Sequence, residues 1–329
     1  MGGDFGPQPV AEGAALALRQ HPGRFQLTLV GDEPEIRSAL RRAGAERLPI
    51  EVVHAAGKVD MGAKAASVAR RSDTSLGVLT QMHKERRLDA IFSAGNTGAV
   101  VATALLGLGR IEGVSRPALA AFIPNTKHGT VVLDVGANAE VKPSYLVQFA
   151  HMGSCYARFL LGRDNPTVGL LSIGEEDSKG NQLVQETLPL LRAARHLNCV
   201  GNVEGRDLFK GTCDVMVTDG FTGNVLLKTA EGAASFLAGE MKSQVKRDPF
   251  ALLGALFMSG ALGRLKKRLD WEEYGGVPLL GVNGVCFIGH GASGPRAFRS
   301  AIDALTSFVE KRVNEHIREE ILSDDVTAA

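Results

Sequence analysis

The chain of 329 residues has only four cysteines, at 155, 199, 213 and 286, and none stands in CxxC or His/Cys metal-ligand spacing. That argues against a zinc module or a disulfide framework and for reduced thiols in apolar runs, as in cytoplasmic proteins. Charge of one sign is not in excess either: 37 Lys+Arg stand against 36 Asp+Glu, a net charge of +1. Such a balance offers no nucleic-acid groove, and any basic patch must be local. The first residues do not read as a secretory leader, and no apolar run reaches the ~18 residues of a membrane span. A Gly-x-Ser-x-Gly elbow is missing, and no cysteine sits beside a histidine in an activating loop, so a covalent acyl-enzyme is not expected. The length allows a sizeable core, as one large α/β unit or two domains.

What the chain has is a recurring unit. In Val215-Met216-Val217-Thr218-Asp219-Gly220-Phe221-Thr222-Gly223-Asn224 a β-branched run meets two glycines among small polar residues, and helical apolar spacing follows from Val225. Strand, tight loop and helix in that order form an anion-binding geometry. Glycine allows close backbone approach, Asn224 is placed to cap the helix or touch a ligand, and unpaired N–H groups point into the loop. The unit returns at Ser93-Ala94-Gly95-Asn96-Thr97-Gly98, at Asp134-Val135-Gly136-Ala137-Asn138 and at Gly174-Glu175-Glu176-Asp177-Ser178-Lys179-Gly180-Asn181. This predicts an α/β fold with a mostly parallel sheet covered on both faces, and a site where the four loops converge.

Other segments fill in the frame. Residues 1–7 form a loop with no strand ahead of Met1, so the chain is expected to begin one strand late. Residues 116–124 and the strand carrying Asp134 are joined so closely that a hairpin, hence a mixed sheet, is expected. Pro143 suits the first turn of a helix in which His151 is a packed or surface imidazole rather than a catalytic one. One helix is expected from Val225 to about residue 245 and another over about 295–321. Between them, residues 249–269 are apolar with Lys242, Lys246 and Arg247 before and Arg264, Lys266, Lys267 and Arg268 within. A segment of that kind can lie in a membrane interface, dock an acidic partner, or serve as a dimer seam or core helix.

Four Gly/Asn loops favour holding an anion. A Mg²⁺ or Mn²⁺ site built from Asp134, Asp177 and Asp219, in a dehydrogenase of similar sheet, stays open beside the reading of these carboxylates as caps and loop braces. Phosphate is ionised at neutral pH and can itself attack an activated acyl group when oriented and partly stripped of water. Lys179 can neutralise its charge, and Asn224, Asn96 and loop N–H groups can orient it or stabilise an oxyanion.

The four loops, together with Met1-Gly2-Gly3-Asp4, Arg116-Pro117-Ala118-Leu119, the stretch 146–154, Tyr274-Gly275-Gly276 and His290-Gly291, resemble the signature segments of the PlsX family of fatty acyl-ACP:phosphate acyltransferases. The resemblance spans nearly the whole chain. It implies a Rossmann-like three-layer α/β/α sandwich related to phosphate acetyltransferases and isopropylmalate dehydrogenases, with residues 1–329 as one domain and 249–269 as a membrane- or dimer-facing helical insertion; the lack of apolar periodicity in 323–329 reads as a disordered tail. It implies transfer of a long-chain acyl group from acyl-ACP (acyl carrier protein) to inorganic phosphate for phospholipid synthesis, with no cofactor and no metal. Lys179 and Asn224 match the catalytic positions. Gly3, Asp4, Gly95, Asn96, Thr97, Gly98, Asp134, Gly136, Asn138, Gly180, Asp219, Gly220, Thr222 and Gly223 match the substrate loops, and Leu253 and Phe257 the membrane-facing helix. A homodimer, peripheral attachment to the cytoplasmic membrane surface and a downstream glycerol-3-phosphate acyltransferase as partner are implied as well. A short-chain, CoA-dependent phosphate acyltransferase would share the anion loops without the membrane segment.

Overall fold

The computed structural model describes residues 3–60, 62–269 and 275–323. Its strands are β1 (Leu27–Gly31), β2 (Ile50–His54), β3 (Ile91–Ser93), β4 (Ala118–Ile123), β5 (Thr130–Leu133), β6 (Thr167–Leu171), β7 (Asn198–Val203), β8 (Val215–Val217), β9 (Val277–Leu280) and β10 (Cys286–Ile288). Helices α1 (Pro7–Gln20), α2 (Glu33–Arg42), α3 (Ala65–Val68), α4 (Ser75–Lys84), α5 (Thr97–Leu108), α6 (Pro143–Cys155), α7 (Gln182–Ala193) and α8 (Asp207–Lys210) alternate with them. Then come α9 (Gly220–Arg247), α10 (Pro249–Phe257), α11 (Ser259–Leu269), α12 (Pro295–Glu310) and α13 (Val313–Ser323).

Eight strands form one sheet in the order β3-β10-β9-β4-β5-β8-β6-β7, while β1 and β2 pair in parallel as a separate sheet. Period-two alternation explains the three layers. Val131, Leu133, Val215, Val217, Val168 and Leu170 enter one core with Phe149 and Met152 of α6 and Ile317 of α13. Val132 and Met216 enter the core on the opposite face, with Ala99, Val100 and Ala104 of α5 and with Leu226 and Leu227 of α9 packed against it. Helix α6 approaches the sheet closely at Gly153, where an added Cβ would lie 2.6 Å from Val215 and 2.8 Å from Leu133.

The β4–β5 hairpin is antiparallel, as the short connection implied. Its consequence for the site is large. Strand β9 is antiparallel to β4 and to β10, and β10 is parallel to β3. Therefore β3 and β10 run opposite to β5, β8 and β6, and their carboxyl ends leave the sheet by the other edge. The four Gly/Asn loops thus form two groups instead of one meeting point.

Two helix boundaries differ from the sequence pattern. The long helix begins at Gly220, not Val225, because Asp219 caps it: the carboxylate accepts from the Thr222 N–H at 2.8 Å. The last helix is broken between α12 and α13, where Arg312 has φ 51°, a left-handed conformation that no apolar periodicity announces. The tail beyond Ser323, and the Met1, Gly2 and Tyr274 of the quoted segments, lie outside the described residues.

Candidate active site

The larger loop group is built around Asp134, which is fully buried at the carboxyl end of β5. Its Oδ1 accepts from the N–H groups of Leu119, Gly136 and Ala137 at 3.0, 3.1 and 3.0 Å. Its Oδ2 accepts from the N–H and the side-chain amide of Asn138 at 2.7 and 2.9 Å. Burial pushes its carboxyl above the ordinary range, against these N–H donors, which favour the ionised form. The nest of N–H groups expected to receive a phosphate is therefore filled by the chain's own carboxylate.

Helix α9 is pressed onto this loop. The Gly220 N–H donates to the Asn138 carbonyl at 2.8 Å. A Cβ on Gly223 would stand 1.9 Å from the Asp134 carbonyl oxygen, and one on Gly220 would stand 2.5 Å from the Asn138 carbonyl oxygen. The glycines expected to admit a ligand admit the neighbouring backbone. The first-turn N–H groups of Gly220, Thr222 and Gly223 are all bonded within the chain, and the Thr222 hydroxyl donates to Asp219 at 2.7 Å. Asp134 and Asp219 thus serve as brace and cap, and Asp177 pairs with Arg192, whose guanidinium holds its carboxyl below the ordinary range.

With those groups committed, two polar side chains of the edge stand apart. Asn224 is exposed in the first turn of α9, next to Gly136, where an added Cβ would lie 3.7 Å from its Cβ and Cγ. Lys179 is exposed on the loop after β6, which adjoins β8, so the two loops neighbour one another. Its stem crosses Gly174, where an added Cβ would meet Lys179 Cγ at 2.8 Å. Neither side chain's polar end is engaged by another group among the described residues. The Lys179 loop is held from outside by two residues that sequence reading did not single out. Arg192 of α7 binds Asp177 at 2.5 and 2.7 Å, and Asn202 of β7 donates to the Glu176 carbonyl at 2.9 Å. They lie on other elements, and no local pattern marks them. Gly180, with φ 101°, turns the chain into Asn181, which caps α7 by accepting from the Val184 N–H at 3.0 Å.

The second group lies at the carboxyl ends of β3 and β10. Asn96 caps α5 by accepting from the Ala99 N–H at 2.8 Å, and its amide donates to the Ala63 carbonyl at 3.3 Å. Thr97 and Gly98 are exposed in that first turn, and Gly95 is half-buried. The Asp4 N–H donates to the Gly291 carbonyl at 2.8 Å, which brings Gly3 and Asp4 here, within reach of Ala94.

The same arrangement of sheet and helices occurs in solved structures. The EutD phosphotransacetylase from Staphylococcus aureus superposes with a TM-score of 0.58 at 15% identity, covering 93% of this chain and 92% of that one. A phosphotransacetylase from Streptococcus pyogenes gives 0.60 at 16% identity over the same shares. By fold, the protein is of the phosphotransacetylase-like α/β class. The family model described as fatty acid synthesis protein matches residues 1–316, and the chain belongs to this family, the PlsX family. It is 47% identical over 319 residues to the phosphate acyltransferase of Acidobacterium capsulatum, covering 96% of this chain and 94% of that protein. It is 46% identical over 330 residues to that of Pelotomaculum thermopropionicum, with 100% and 95% covered. Identity to that of Thermus thermophilus is 47% over 321 residues, with 98% and 96% covered.

Proposed function

We propose that the protein transfers a long-chain fatty acyl group from acyl-ACP to inorganic phosphate, and that Lys179 and Asn224 carry the step. The observation behind this reading is that, among the described residues, these two donors remain uncommitted on an edge where Asp134, Asp219 and Thr222 are used up in holding the loops. A phosphate oxygen attacks the thioester carbonyl, the C–O bond forms, the C–S bond breaks and the thiolate of the carrier leaves. The Lys179 ammonium offsets phosphate charge, and the Asn224 amide donates to the oxyanion of the tetrahedral intermediate. Phosphate needs no general base, because it is already ionised at neutral pH.

The arm α9–α11 supports a peripheral role at a lipid surface. No side chain of α10 is buried, and Phe250, Leu253, Leu256 and Phe257 are exposed to 85%, 55%, 68% and 83%. No helix among the described residues is long and apolar enough to cross a membrane. The apolar residues Phe236, Leu237 and Met241, exposed on α9, suit a second copy of the chain, which makes the working form a homodimer at the membrane surface.

The test is thiol release from a long-chain acyl-ACP with and without phosphate. Lys179→Ala and Asn224→Ala should each lose on the order of 10²–10³ in turnover, the worth of one preorganised donor. Because both serve one transition state, the double variant should cost less than the product of the single losses. Near-parental rates of both variants at saturating phosphate and acyl-ACP would move the phosphate to the Asn96 loop.

A further inference from the structure

An open depression of about 520 Å³ lies between the end of α5, the segment 109–116 and the first turn of α6. It is lined by Leu105, Gly109, Arg110, Ser115, Arg116 and Tyr145. It opens on the same edge of the sheet as the Asp134 loop, since the Asn138 amide donates to the carbonyl of Pro117, next to Arg116, at 2.7 Å. The wall is rigidly built. Buried Gln148, on α6, accepts from the Ser115 N–H at 2.8 Å and donates to the Gly113 carbonyl at 2.9 Å. Arg110 donates to the Ser115 carbonyl, and among the described residues neither Arg110 nor Arg116 has a carboxylate partner. Two unneutralised guanidinium groups thus face a cavity with a phenol and a leucine on its sides.

We propose that this depression seats the phosphate that adjoins pantetheine in the acyl donor, with the pantetheine arm running along it toward the Asn138 loop. This rests on the acyl-thioester reading above. The size argues for more than an inorganic ion, because the volume falls in the ~300–1,000 Å³ range of sites for whole small molecules. The charge argues for a phosphate, which the planar fork of arginine matches with two parallel hydrogen bonds. The apolar sides suit the uncharged arm. Both a carrier protein and coenzyme A present this group, and the shared chemistry is a phosphate ester of pantetheine.

Calorimetric binding of 4′-phosphopantetheine and of pantetheine to the full chain tests the depression without turnover. The parent should prefer the phosphorylated compound by about tenfold or more, the scale of a charge-assisted hydrogen bond. Arg116→Gln and Arg110→Gln should each remove most of that preference. In turnover, the same variants should raise the donor KM for long-chain acyl-CoA and acyl-ACP more than for S-acyl pantetheine. A parent without preference, or a preference that survives in both variants, overturns the proposal. So does a loss confined to acyl-ACP with phosphopantetheine binding intact, which would assign the arginines to the carrier's protein surface, and so does a rise in the KM for inorganic phosphate alone. If the parent binds phosphopantetheine selectively but releases no thiol in the presence of phosphate, the proposed reaction fails while the site stands.

Discussion

Replacing Asp134 by asparagine keeps the shape of the side chain and removes its charge together with one acceptor oxygen. In its better orientation the amide oxygen retains the three bonds from Leu119, Gly136 and Ala137, and the NH₂ group is turned against the N–H and amide of Asn138. Two donors of half-buried Asn138 then lose their acceptor. At ~1–3 kcal/mol each, the loss is about 2–6 kcal/mol, against ~5–15 kcal/mol for a whole fold. The Asn138 carbonyl also receives the Gly220 N–H at 2.8 Å, so a shift of the loop displaces the start of α9 and Asn224 with it. Denaturant unfolding should show a lower midpoint at unchanged slope, and turnover should fall even where the fold persists. A stability change under ~1 kcal/mol with parental turnover would refute the view that Asp134 organises this edge.

The other consequences are simpler to read. Gly223→Ala should lower thermal stability and turnover together, since its Cβ would stand 1.9 Å from the Asp134 carbonyl oxygen and overpacking of this kind costs ~1–3 kcal/mol or more. Gly239→Ala in the same helix, where a Cβ meets nothing within 4 Å, should be neutral or stabilising, and equal effects at both positions would show that helix propensity alone is measured. For the arm, Leu253→Glu combined with Phe257→Glu should abolish co-sedimentation with liposomes and leave turnover on soluble substrate largely intact. Loss of dimerisation, with no lipid binding in the parent, would assign α10 to a protein contact.

Local sequence determined a good deal. The β-branched runs, the apolar periodicity and Pro143 at the start of α6 placed most strands and helices, because backbone preference and side-chain period act within a few residues, whereas the cap at Asp219 went unread and the start of α9 was set at Val225. The loops at Asp134, Lys179 and Asn224 were legible for the same reason, and they carried the family. Strand direction was not legible beyond the β4–β5 hairpin. Whether β3 runs with or against β5 depends on the pairings of β3 with β10 and of β4 with β9, each between segments more than a hundred residues apart. That pairing divided four similar loops between two edges. Nor did composition tell what each loop's donors would bind. Only the packed structure put a buried carboxylate into the nest after β5 and a neighbouring backbone against Gly220 and Gly223, leaving Lys179 and Asn224 uncommitted. The donors of Gly136, Ala137 and Asn138 find Asp134 within their own loop, whereas Leu119, the Gly220 N–H on the Asn138 carbonyl and the backbone against Gly223 are brought together only by packing between distant segments.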